Sequence, residues 1–302
     1  MGRRKNGQYL FYIALAAVAL LFFLHRYRKI EGFQDTPIKG LILNLQGGLG
    51  NQLFIYAGGL TMKNKYKVPL YLLPLEYEGS NIHSKKDYRF LFDDQTPIEY
   101  TDPLMLDIRK VDVHIHFFGP WNDIPAGENK NIYIKNHWFQ DFPSIKPVFP
   151  QVKREVVGHL SEMYKDVNID KKSSAFIHVR RGDYTKEAGG MYALDINYYN
   201  SGLEELNKSD SIKIIYIFSD DIAWCKQQVW NTTKHIEYID EPDEMKVLYM
   251  MSQCEGGAVI SNSTFSSWGA MLGPYMSSDI IVYPSKWLFN GNLSLPTEWI
   301  KK

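Results

Sequence analysis

The run Ala175-Phe176-Ile177-His178-Val179-Arg180-Arg181-Gly182-Asp183-Tyr184 constrains this chain more than any other stretch. Its apolar half reads as a buried strand, and it ends abruptly in two arginines, a glycine and an aspartate. Two guanidiniums at a strand end are costly to leave without an anion, and phosphate is the anion that suits their planar fork best. The same residues also read as an ion pair of Asp183 with Arg180 or Arg181. In open α/β sheets ligands bind beyond the carboxyl ends of the strands, which is where this loop falls.

The arrangement recurs along the chain. Residues 196–206 read as a helix with Asp195 as its N-cap. Residues 212–218 form a second apolar strand that ends in Ser219-Asp220-Asp221 and enters a helix containing Trp224, Cys225 and Lys226. A helix over 243–254 and a short strand over 257–261 precede Asn262-Ser263-Thr264-Phe265. Nearer the start, a strand over 41–45 breaks into the loop Gln46-Gly47-Gly48-Leu49-Gly50-Asn51-Gln52 before a helical segment over 53–60. Residues 71–150 read as irregular, and 152–164 as an amphipathic helix. Strands alternating with helices predict an α/β chain with doubly wound parallel sheets.

Each strand discharges polar groups at the same end, so Arg180/Arg181, Asp220/Asp221 and Ser263/Thr264 can converge on one crevice. Arginines neutralise a diphosphate, and an aspartate can accept from the N–H edge of guanine. Ser263 and Thr264, at a helix start, add hydroxyls and backbone donors. Ordinary helix caps explain the same aspartates and hydroxyls one at a time. The glycine loop lets backbone N–H groups approach a phosphate, but it matches neither GxxxxGK[ST] nor GxGxxG, and a tight strand-to-helix turn explains it equally.

The chain carries 34 basic and 34 acidic residues in 302, so it lacks the basic excess of a nucleic-acid binder. Residues 9–24 are uninterruptedly apolar and span about 24 Å as a helix, close to the ~30 Å of a bilayer core. A basic cluster follows, with no small-residue cleavage site, so an uncleaved membrane anchor over 9–25 is expected, with a basic tail (1–8) and a stem (26–38). The lipid bilayer is then a partner through residues 9–25. The expected location is single-pass in the Golgi or another secretory compartment, with the remaining domain luminal. Asn207, Asn231 and Asn292 lie in glycosylation sequons, which matter only in that case. Cys225 and Cys254 are too few for a disulfide framework. His114 and His116 share a strand face, yet two ligands are too few for zinc.

Four motifs in order resemble the α-1,2-fucosyltransferase family, glycosyltransferase family 11: GGLGNQLFIYA (47–57), HVRRGDY (178–184), FSDDIAWCK (218–226) and SNSTFSSWGAML (261–272). The resemblance runs from about residue 39 to the end, and the segment YIKNHWFQD (133–141) resembles the family's aromatic-Gln stretch. Leu53 and Ser267 depart from the residues most usual there.

The resemblance implies a GT-B-like architecture of two Rossmann-like domains facing a cleft: an acceptor-side half over 39–165 and a GDP-fucose-binding half over 166–302. It implies inverting transfer of L-fucose from GDP-β-L-fucose to the 2-hydroxyl of a galactose-containing acceptor, with no metal or other cofactor. A different linkage or acceptor, or a sugar-binding protein without activity, are the alternatives. The sequence contains no Asp-x-Asp triplet, so positive charge for the leaving diphosphate falls to Arg180 and Arg181. Asp183 is the expected general base, with Asp123 and Asp141 as alternatives. Gly48, Gly50, Asn51, His178, Asp220, Asp221, Ser263, Thr264 and Phe265 are expected at the donor.

Overall fold

The computed structural model describes residues 38–74, 86–112, 129–135, 138–186, 191–274, 280–288 and 293–302. The expected anchor (9–25), the tail and nearly all of the stem lie outside these residues, as do His114, His116, Asp123 and Asn292. Among the described residues no helix is long and apolar enough to cross a membrane.

Two parallel sheets organise the chain. The first has five strands: β1 (Gly40–Asn44), β2 (Leu70–Leu73), β3 (Thr96–Pro97), β4 (Ile108–Asp112) and β5 (Asn131–Lys135), in the spatial order β3-β2-β1-β5-β4. The second has six: β6 (Ser174–Val179), β7 (Ile214–Ser219), β8 (His235–Ile239), β9 (Ala258–Val259), β10 (Ile281–Tyr283) and β11 (Ile300–Lys301), in the order β11-β10-β9-β6-β7-β8. Every pairing in both is parallel. β1 and β6 are buried along their whole length, as continuous apolar runs covered on both faces should be.

Chain order reverses beside β1 in the first sheet and beside β6 in the second. In doubly wound sheets that reversal opens a crevice at the carboxyl ends of the strands. The loops leaving β1, β5, β6 and β9 therefore end at two such crevices, and these loops carry the candidate residues.

The helices are α1 (Leu49–Tyr66), α2 (Phe142–Ile145), α3 (Phe149–Met163), α4 (Ile196–Asn207), α5 (Ile222–Gln227), α6 (Glu244–Gln253) and α7 (Thr264–Leu272). Aspartates cap four of them: Asp141, Asp195, Asp221 and Asp243 accept from Ser144, Tyr198, Trp224 and Met245 backbone N–H groups. The helix expected over 53–60 starts at Leu49 instead, so Gly50, Asn51 and Gln52 form its first turn rather than a loop. The region expected to be irregular, apart from a strand expected from Tyr133 that corresponds to β5, also holds β3 and β4.

The two sheets share one apolar joint. Trp268 of α7 is fully buried between Phe54 of α1, in edge contact at 5.1 Å, and Phe149 of α3, stacked at 6.0 Å. Polar contacts flank it: Tyr164 donates to Asp243 at 2.6 Å, and Tyr88 donates to Glu244. Truncating an aromatic in such a joint costs about 3–5 kcal/mol.

Candidate active site

Arg180 leaves the end of β6 and is gripped twice. Its Nη2 donates to Asp183 Oδ1 at 2.6 Å, and its Nη1 lies 2.9 Å from Asp220 Oδ2. Arg181 donates through Nε to Asp221 Oδ2 at 3.2 Å and through its backbone N–H to Asp220 Oδ1 at 2.8 Å. The Arg181 guanidinium lies 4.0 Å over the Trp224 ring, and that of Arg180 lies 5.3 Å over Tyr184. Gly182 makes room for this, since a Cβ there would sit 2.6 Å from Asp220 Oδ2.

The two arginines are thus fixed in direction yet remain partly exposed. Asp220 and Asp221, expected at guanine, have each of their carboxylate oxygens on an arginine or on the α5 cap. Asp183 pairs with Arg180, which decides between the two arginines left open by the sequence.

His178 points from β6 into the turn before α7. It is 6% exposed, its Nδ1 is 3.3 Å from Ser261 Oγ, and its ring is 5.4 Å from that of Phe265. Burial, and after it the charge of Arg180, push its pKa down to about 3, so the imidazole is neutral at ordinary pH. The Tyr184 phenol hydrogen-bonds Ser263, and burial pushes its pKa up to about 12. Both side chains tie the arginine loop to the start of α7.

That start meets the start of α1. A Cβ on Gly50 would lie 2.4 Å from the Phe265 backbone nitrogen and 2.6 Å from the Thr264 carbonyl carbon. Glycine is required here because two backbones touch. Neither Gly48 nor Ser263, the residues preceding these helices, makes a side-chain cap hydrogen bond, and neither helix has an acid in its first turn. Two positive helix ends therefore face each other without the aspartate that α2, α4, α5 and α6 each carry. Their mutual repulsion is relieved by an anion. Gly48 has open space where its Cβ would be, so this part of the turn is unobstructed.

Asn51 spans the contact: its Oδ1 accepts from Thr264 Oγ1 at 2.8 Å and from Gln140 Nε2 at 3.0 Å. Asp141, an alternative base, is buried and caps α2. The structure thus gathers Gly50, Asn51, His178, Thr264 and Phe265, with Ser263, around one junction, and Arg180, Arg181, Asp183, Asp220 and Asp221 in the adjoining cluster. Gln140, Tyr184 and Trp224 were not among the expected site residues. Tyr184 and Trp224 lay inside the quoted motifs, and Gln140 inside the aromatic-Gln stretch 133–141, but none of the three was assigned a place at the site. A separate hollow of about 330 Å³, lined by Tyr192, Tyr198 and Lys286 among others, includes none of these residues. Among the described residues no group of three or more His, Cys, Asp or Glu is placed to hold a metal ion.

A family model described as Glycosyl transferase family 11 matches residues 124–290. The O-antigen biosynthesis glycosyltransferase WbnK of Escherichia coli is 26% identical over 300 residues, covering 85% of this chain and 98% of that protein. An alpha-1,2-colitosyltransferase of Escherichia coli is 26% identical over 286 residues, covering 86% and 98%. Galactoside 2-alpha-L-fucosyltransferase Sec1 of Mus musculus is 26% identical over a shorter stretch, 32% of this chain and 27% of that one. Among solved structures, a mutant of Arabidopsis thaliana FUT1 in complex with GDP covers 82% of this chain and 73% of its own, at 12% identity and a TM-score of 0.47.

These relatives correct the expected location. The two that match over nearly their whole length are bacterial, and Escherichia coli has no Golgi. The Golgi or secretory placement, with its luminal domain, does not stand.

Proposed function

The chain belongs to glycosyl transferase family 11, and from that premise we propose that it transfers L-fucose from GDP-β-L-fucose to the 2-hydroxyl of a galactose-containing acceptor, with inversion. Residues 39–165 and 166–302 are the two halves of a GT-B-like enzyme, the first facing the acceptor and the second holding the donor. The observation that carries the reading is the pair of uncapped helix starts abutting at Gly50 and Phe265, alongside a strand end bearing Arg180 and Arg181. That is positive charge from four sources, aimed where a diphosphate would lie. The α-1,2 linkage is supported by the names of the colitosyltransferase and Sec1 relatives.

In this reaction the bond between the fucose anomeric carbon and the β-phosphate oxygen breaks, and GDP leaves with the electron pair. Arg180, Arg181 and the helix starts stabilise the charge that grows on that oxygen. The diphosphate competes with Asp183 for Arg180. Released from the ion pair, the Asp183 carboxylate accepts the proton of the attacking 2-hydroxyl as the new glycosidic bond forms. Asp220 and Asp221 hold the guanidiniums in place throughout. Neutral His178 adds no charge and keeps Ser261 and Phe265 seated.

Colitose is the second reading for the transferred sugar, favoured by the relative of that name matching over 98% of its length. Incubation with GDP-fucose, GDP-colitose, GDP-mannose and UDP-sugars over a panel of β-galactosides, followed by linkage analysis, tests both. An α-1,2-fucosylated product supports the proposal. Transfer of colitose alone replaces the donor, and a product from a UDP-sugar or a linkage to another hydroxyl overturns it.

A further inference from the structure

Gln140 lies just beyond β5, is 5% exposed, and makes a side-chain hydrogen bond that fixes the Asn51 amide from its own half of the chain: Nε2 to Oδ1, at 3.0 Å. Thr264 Oγ1 reaches the same oxygen from the other half at 2.8 Å. A carbonyl oxygen has two lone pairs, and here one donor from each half takes one of them. Asn51 is thereby held with Nδ2 against Gly47, where a Cβ would sit only 2.2 Å away, and Gly47 itself has φ +69°.

The approach of Gln140 is built at a cost. Phe139, immediately before it, has φ 52°, the left-handed region that bulky side chains rarely occupy. The Phe139 side chain is fully buried and fills the place of a Cβ on Gly58, which would meet Phe139 Cγ at 2.3 Å and Cβ at 2.6 Å. A glycine within α1 weakens the helix, yet at this position it lets Phe139 close down on it. A strained aromatic and a helix-weakening glycine together deliver one amide to one oxygen at the junction of the two halves.

We infer that Gln140 is a positioning residue for glycosyl transfer. Through Asn51 it locks the start of α7 onto the start of α1, and so sets the distance between the acceptor and the donor diphosphate without touching either. The inference rests on the function proposed above.

The test compares Gln140→Ala, Gln140→Glu, Thr264→Val and the Gln140→Ala/Thr264→Val double variant with the wild type. GDP titration gives affinity and the concentration of competent sites; kcat and acceptor KM are then measured per site with GDP-fucose. The carboxylate of Gln140→Glu has nearly the same shape but cannot donate, so both Gln140 variants are expected to lose between about tenfold and a hundredfold in kcat, the scale of a sub-ångström to 1 Å misplacement. GDP affinity stays within about twofold, and the double variant loses clearly less than the product of the single losses.

A parallel loss of GDP affinity overturns the inference by putting Gln140 on the donor. Unchanged kcat per site with a lowered melting temperature overturns it by leaving a fold role only. Amide hydrogen exchange over 49–52 and 264–267 gives a readout that needs no turnover. Faster exchange in Gln140→Ala supports the lock and unchanged exchange refutes it, even if a wild type inactive with every GDP-sugar has removed the proposed function.

Discussion

Replacing Gly50 with alanine tests the junction most sharply, because the obstacle is backbone. The new methyl would lie 2.4 Å from the Phe265 nitrogen, 2.6 Å from the Thr264 carbonyl carbon and 2.7 Å from the Phe265 Cα. No side-chain rotation relieves these contacts. Restoring an ordinary 3.4 Å separation moves the two helix starts apart by about 1 Å. Overpacking of this kind costs about 1–3 kcal/mol. Alanine regains up to about 1 kcal/mol of helix propensity. Stability should therefore fall by about 0–3 kcal/mol. Transfer should suffer more: a 1 Å misplacement costs about 10² in rate, or about 2.7 kcal/mol of barrier. Urea unfolding and kcat with GDP-fucose measure the two effects separately. Gly48→Ala is the control for stability, since its methyl would meet nothing within 4 Å of the protein and its φ of −72° suits alanine. A Gly50→Ala protein that is about 1 kcal/mol more stable, with wild-type kcat, would show that the helix starts do not abut.

Arg180→Lys keeps a charge but cannot reach Asp183 and Asp220 with one planar fork, so kcat should fall about 10²–10³-fold, measured at saturating donor. A loss under about fivefold would remove Arg180 from the leaving-group site. Asp183→Asn should abolish transfer while GDP-fucose hydrolysis and GDP binding persist; loss of all three would make Asp183 only the partner of Arg180. His178 is protonated in the unfolded chain below about pH 6.5 but stays neutral in the fold down to about 3. Its contribution is therefore present above pH 6.5 and is lost as pH falls. Wild-type stability should drop by about 2 kcal/mol more than that of His178→Asn between pH 6.5 and 5. Parallel pH profiles for the two proteins would contradict the burial of a neutral imidazole.

Three strands of the second sheet, β6, β7 and β9, were readable because each is an apolar run followed by its own punctuation, whereas β8 (HIEYI), β10 and the two-residue β11 were not expected. β6, β7 and the Asp195 cap fall where the pattern puts them. The first turn of α1 was hidden because glycines that serve a helix-to-helix contact look, locally, like glycines that make a loop. Gly50 answers to Phe265, more than 200 residues away in the chain. β3 was hidden for a different reason: Thr96–Pro97 is exposed and carries no periodicity. At the site, the sequence supplied the arginines and aspartates but not their pairing. Asp183 could have gone to either arginine, and the sequence did not show that Asp220 and Asp221, expected at guanine, also hold the Arg180 and Arg181 guanidiniums and the start of α5. Gln140 lay in a stretch the sequence already marked, but its role could not be read there, because that role depends on the left-handed Phe139 before it and the oxygen it shares with Thr264.

The central claim is that Arg180, Arg181 and the two facing helix starts form the diphosphate site of a GDP-sugar. Calorimetric titration of GDP, GMP and UDP into the wild type, Arg180→Ala and Arg181→Ala measures it directly. GDP should bind the wild type, GMP at least about tenfold more weakly, and each arginine variant should erase most of that difference. Equal affinity for GDP and GMP, or GDP binding untouched by loss of either arginine, would contradict it.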